Sequence, residues 1–81
     1  MKQKDYNKRL MNAIKSLRQK SGMKQFELAL ALGKDQSKYS CMETGKKKVT
    51  PAQLRIMAKK LNTNVGTFFD MADEGTNIDE L

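Results

Sequence analysis

The sequence predicts an all-α domain of five helices closed around one core. Apolar residues recur at three- and four-residue spacing in successive short windows. Glycines, a proline and good capping residues fall between those windows. No stretch alternates apolar and polar residues long enough to make a strand. A chain of 81 residues holds one small core, so the helices must share their apolar faces economically.

The first helix is expected from about Tyr6 to Lys20, with Leu10, Met11, Ile14 and Leu17 along one face. Ser21-Gly22 ends it, since glycine takes the left-handed cap conformation without strain. The second covers about Lys24 to Leu32, with Leu28, Ala29 and Leu32 inward, Phe26 at the edge and Gly33 as its stop. The third follows Asp35, whose carboxylate can accept backbone N–H groups, and runs to about Glu43 with Tyr39 and Met42 inward. Gly45 closes it, and residues 46–49 form a basic loop. Thr50-Pro51 starts the fourth helix, because proline's missing N–H costs nothing in a first turn. Leu54, Met57, Ala58 and Leu61 supply its inner stripe. Asn64 caps a fifth helix carrying Val65, Phe68 and Phe69, and the last dozen residues are expected to fray.

Charge divides the chain. All 16 lysines and arginines lie within residues 1–60. Residues 1–69 hold only four acidic groups, Asp5, Glu27, Asp35 and Glu43, for a net of +12, while residues 70–81 hold five acidic groups and no basic one. Such a body attracts polyanions. With one cysteine and no histidine, the chain can form no internal disulfide and lacks the usual zinc-ligand sets. No apolar run approaches the roughly 20 residues that span a bilayer, and the basic N-terminus is not followed by a signal-peptide core. No glycine-rich phosphate loop or nucleophile–base pattern is present, so an enzyme is not expected. The expectations are a cytoplasmic protein with no cofactor, no metal, no membrane contact and no small-molecule substrate.

Residues 25–45, QFELALALGKDQSKYSCMETG, carry the functional signal. Two helices that cross closely need a small residue at the contact, which Ala29 supplies. The turn between them needs a residue tolerant of positive φ, which Gly33 supplies. Once Tyr39 and Met42 face inward, Gln36, Ser37, Ser40, Cys41 and Thr44 are left on the outer side of the second of these helices. Their mostly short polar side chains suit a helix lying in a DNA major groove.

The pieces IKSLRQKSGM, QFELALALG, YSCMETG and TPAQLRIMAKKLNTNVGTFF, in this order and spacing, resemble the lambda-repressor-like helix-turn-helix domains of phage repressors, Cro and xenobiotic-response-element regulators. The resemblance covers about Ile14 to Phe69. It implies that Gln25 bonds a DNA phosphate, that Gln36 and Ser37 are the first base-reading positions, and that Lys38, Ser40 and Cys41 lie on the same DNA-facing helix. Gln36 could pair with adenine N6 and N7, a contact worth about 1–3 kcal/mol of discrimination. Lys46, Lys47 and Lys48 match the loop that clamps the phosphate backbone. Arg18 and Glu43 match a structural pair that fixes the angle between scaffold and reading helix. Lys34 stands where a small apolar residue is usual, Tyr39 where a branched aliphatic is usual, and Lys24 in place of a Ser or Thr cap.

The expected organisation is a disordered basic N-terminus (1–5), a helix-turn-helix DNA-binding domain (6–70) and an acidic C-terminal tail (71–81). The expected function is a sequence-specific regulator of transcription that binds double-stranded DNA, a dimeric repressor or controller protein on a palindromic operator. Val65, Phe69 and Met71 are candidates for the homodimer contact, with Ile56 as an outlying apolar residue. The alternative is a protein-interaction module or antitoxin whose main partner is another protein. Cys41 reads as an inert thiol, since nothing nearby guarantees the lowered pKa of a redox sensor.

Overall fold

The computed structural model describes the backbone of residues 3–80 and the side chains of residues 5–74. Five helices follow in order: α1 (Gln3–Lys20), α2 (Gln25–Leu32), α3 (Gln36–Glu43), α4 (Pro51–Lys60) and α5 (Val65–Glu80). No strand occurs among the described residues. α1 packs chiefly on α5 and also touches α3; α2 packs on α3 and α4. The core is built from the expected stripes: Leu10, Met11 and Ile14 of α1, Leu28 and Ala29 of α2, Tyr39 and Met42 of α3, Leu54, Met57 and Ala58 of α4, and Phe68 of α5. Leu17 and Leu32 are only partly buried against it.

The helix starts follow local chemistry. Thr50 Oγ1 accepts the Gln53 N–H at 3.2 Å and Gln53 Oε1 accepts the Thr50 N–H at 2.9 Å, a reciprocal box ahead of Pro51. Asn64 Oδ1 accepts the Thr67 N–H at 3.0 Å at the start of α5. Lys24 has no acceptor to offer, so only half of such a box forms before α2: the Glu27 carboxylate accepts the Lys24 N–H at 2.8 Å.

Both ends of the chain are more helical than the sequence pattern predicts. Instead of fraying over residues 1–5, the chain is helical from Gln3, and Met1 and Lys2 lie outside the described residues. The early start has partners to pack on: the Tyr6 ring stacks on Phe69 of α5 at 6.4 Å, and Asn7 is buried. Likewise α5 continues to Glu80 through the acidic segment expected to fray. Ala72, one turn beyond Phe68, is 1 % exposed and extends the buried stripe past the aromatic pair. The side chains of residues 75–81 lie outside the described residues.

Candidate nucleic-acid interface

α2 packs on α3, Ala29 of α2 is 2 % exposed, and Gly33 in the turn between them adopts φ +69°. The Lys34 N–H reaches back to the Ala29 carbonyl at 2.9 Å and the Gly33 N–H to Leu30 at 3.1 Å, closing the last turn of α2. Three residues later α3 begins. Asp35 Oδ1 accepts the Lys38 N–H at 2.9 Å and the Ser37 hydroxyl at 3.0 Å. The Lys38 N–H, then Ser37, hold the Asp35 carboxyl below its ordinary value. Because the Ser37 proton is directed at Asp35, its oxygen is left to the outside as an acceptor.

Gln36, Ser37, Lys38 and Cys41 are exposed on α3, as is Thr44 at its C-terminal cap, and Ser40 is half-buried. Tyr39 and Met42 are inside, as their spacing predicts. The Tyr39 hydroxyl is buried without a partner in hydrogen-bond geometry. Burial, with the Glu43 carboxylate nearby, pushes its pKa well above the ordinary tyrosine value and keeps the phenol neutral. Lys46, Lys47 and Lys48 are exposed on the loop that follows. Lys34 is half-buried, consistent with an aliphatic stem lying along the core edge.

Arg18 and Glu43 meet. Arg18 Nε donates to Glu43 Oε2 at 2.7 Å and Nη2 to Oε1 at 3.3 Å, with the two side chains 10 % and 3 % exposed. Arg18 Nη1 also donates to the Met23 carbonyl at 2.8 Å. Burial alone pushes the Glu43 carboxyl up, but hydrogen bonds from Arg18 and Gln25 outweigh it and hold the group below its ordinary value.

Gln25 has a partner the sequence did not indicate. Its Nε2 donates to Glu43 Oε1 at 3.0 Å, so one of its two amide N–H groups is committed inside the protein and one remains for an outside acceptor. The start of α2 and the end of α3 therefore share one carboxylate.

Three further features escaped sequence reasoning. Asn7, 9 % exposed, bonds the backbone of the basic loop. A signal for it existed: Asn7 is polar, yet it lies on the stripe that continues through Met11 and Ile14. Lys8 packs against Gly45. Leu30, 78 % exposed, lies one turn beyond Phe26, 52 % exposed, on the outer side of α2. Of the dimer candidates, Val65 lines a hollow with Ile56 between α4 and α5, and Phe69 lines another with Tyr6.

Among the described residues no helix is long and apolar enough to cross a membrane. No curated protein and no solved structure matches the chain. A family model of helix-turn-helix domains matches residues 14–68, about two thirds of the chain, and takes in the second half of α1, all of α2, the turn, α3 and α4, and the first turn of α5. That family consists of DNA-binding regulators and is generally non-enzymatic. With Ala29 buried on α2, the left-handed turn at Gly33 and the outward polar face of α3 all present, the chain belongs to the lambda-repressor-like, Cro/C1-type helix-turn-helix family.

Proposed function

We propose that this protein is a sequence-specific transcriptional regulator that places α3 in the major groove of double-stranded DNA and acts as a homodimer on a palindromic operator. The observation that carries the reading is the outer side of α3: Gln36, Ser37, Lys38 and Cys41 stand exposed there, just ahead of the exposed Lys46, Lys47 and Lys48. Gln36 and Ser37 read bases, with Ser40 and Cys41 one turn further along the helix. Gln25 and the loop lysines hold phosphates, the glutamine through its remaining N–H. Two copies set about 34–36 Å apart would enter grooves one helical turn apart. Ile56 and Val65, on the α4–α5 edge, are the favoured contact between copies. Repression by occupying a promoter is the simplest output of such a domain.

The test is selection of bound sites from a random duplex pool, followed by titration of the recovered operator. A symmetric site bound by two copies is the expected result; recovery of no preferred sequence would defeat the reading. Gln36→Ala should relax choice at one base position, by about 1–3 kcal/mol of lost discrimination, with the fold intact. Equal loss on every sequence would remove Gln36 from base reading. A second reading, a protein-interaction module or antitoxin, is favoured by the exposed Phe26 and Leu30. It predicts no operator preference and no steep loss of DNA affinity with salt.

A further inference from the structure

The family match begins at residue 14, but α1 begins at Gln3. The additional turns do specific work. Tyr6 stacks on Phe69 with an interplanar angle of 11° and ties them to α5. Asn7 then spends its amide on the loop after α3. Its Nδ2 donates to the Gly45 carbonyl at 3.2 Å and to the Lys47 carbonyl at 2.8 Å, and its Oδ1 accepts the Val49 N–H at 2.9 Å. One side chain thus holds three backbone groups within five residues. Gly45 closes against the next residue of α1: at φ +82°, a Cβ there would lie 2.9 Å from both Cα and Cβ of Lys8.

Three adjacent lysines repel one another, and an unrestrained loop would lose conformational freedom on meeting a polyanion. Holding the loop beforehand removes that cost from binding. The lysine side chains stay outside while their backbone is fixed from within. Lys8, itself exposed, lines one hollow of about 270 Å³ with Asp5, Thr44, Gly45 and Lys46.

We propose that the amino-terminal turns of α1 belong to the DNA interface: Asn7 positions the loop to receive a backbone phosphate, and Lys8 adds a fourth cation beside Lys46. This inference rests on the DNA-binding reading and adds to it a part of the chain that the family match does not cover. Asp5 opposes the phosphate from the same hollow, so Asp5→Asn should tighten binding on every duplex.

The test titrates the full chain with its selected operator and with an unrelated duplex across a salt series. Circular dichroism confirms the fold of each variant. Lys8→Met should reduce the log–log salt slope by about 0.9, the value for one phosphate contact, on both duplexes. Asn7→Ala should weaken both complexes by about tenfold, as loss of a sequence-independent phosphate term requires. In a background where Lys46, Lys47 and Lys48 are alanine, Asn7→Ala should cost nothing more, because its effect passes through those side chains. An unchanged slope in Lys8→Met, or an equal loss from Asn7→Ala in both backgrounds, would overturn the proposal. The Val49 amide of the unaltered chain should exchange slowly; fast exchange would overturn the held loop even if Asn7→Ala does not fold. No affinity of the unaltered chain for any duplex would instead defeat the underlying DNA reading.

Discussion

At its front end α3 is held by its own neighbours. Asp35 accepts the Lys38 N–H three residues on, and Gly33 turns the chain just before it. At its rear end α3 is held by distant residues: Arg18 on Glu43 across 25 positions, Gln25 on the same carboxylate across 18, and Asn7 on Gly45 across 38. The front end carries Gln36 and Ser37 and is open to the outside; the rear end buries Met42, Glu43 and Gly45 and leads into the lysine loop. If the front end reads bases, as proposed, it must meet base edges without other elements crowding it, which capping chemistry that needs few neighbours allows. The rear end fixes the angle of the helix to the body and the path of the loop, which only long-range contacts can do.

The sharpest way to break this contrast is to cut the rear end. Glu43→Ala leaves Arg18 buried without its carboxylate, and losing one partner of a buried pair costs about 3–5 kcal/mol. A thermal melt should show a larger Tm drop than alanine at Gly45, Gly33 or Asp35. A loss within that of a surface substitution would mean the pair does not anchor α3. Acid should act in the same direction. The Glu43 carboxyl is held below its ordinary value of 4.5 when folded, so its contribution is present above that value and is lost as pH falls through the lower folded pKa. Stability measured from pH 6 downward should therefore fall less steeply in Glu43→Gln than in the unaltered chain; parallel curves would contradict the assigned titration.

Next in size is the contrast between two glycines. Gly33 and Gly45 both have positive φ, +69° and +82°. Alanine at either carries a conformational cost of roughly 1–2 kcal/mol. At Gly33 nothing lies within 4 Å of the added methyl group, so the cost stops there. At Gly45 the methyl group meets the backbone of Lys8, and shifting a packed helix adds typically about 1–3 kcal/mol. Gly45→Ala should thus unfold at lower denaturant than Gly33→Ala. Equal midpoints would show that α1 yields freely and does not brace the loop.

The same division explains what the sequence made legible. Gly33, Asp35, Thr50 and Asn64 act on backbone groups within a few residues, so their roles follow from spacing alone. The Arg18–Glu43 pair came only through the family resemblance, since nothing local joins two residues 25 positions apart. Asn7 lay on the apolar stripe of α1, but its partners are backbone groups 38 to 42 positions away, beyond any periodic pattern. Gln25 was placed correctly at the start of α2, while its bond to Glu43 depends on a crossing angle no spacing encodes. The acidic run after Phe69 hid the helical continuation because its charges outweighed the one signal present, Ala72 one turn beyond Phe68.

The smallest expected effect lies at the front end and separates acceptor geometry from charge. Asp35→Asn keeps a side-chain oxygen for the Lys38 N–H, and asparagine is as good an N-cap as aspartate. Its Tm should stay close to that of the unaltered chain. Asp35→Ala removes the acceptor and should lower Tm, though by less than any rear-end change. If Asn were as damaging as Ala, the negative charge at the helix start would be what holds α3, and raising the salt concentration should then erode the stability of the unaltered chain as well. If Asn is silent and salt has little effect, a hydrogen bond spanning three residues suffices, and the front end of α3 is held by a device that leaves its outer face free.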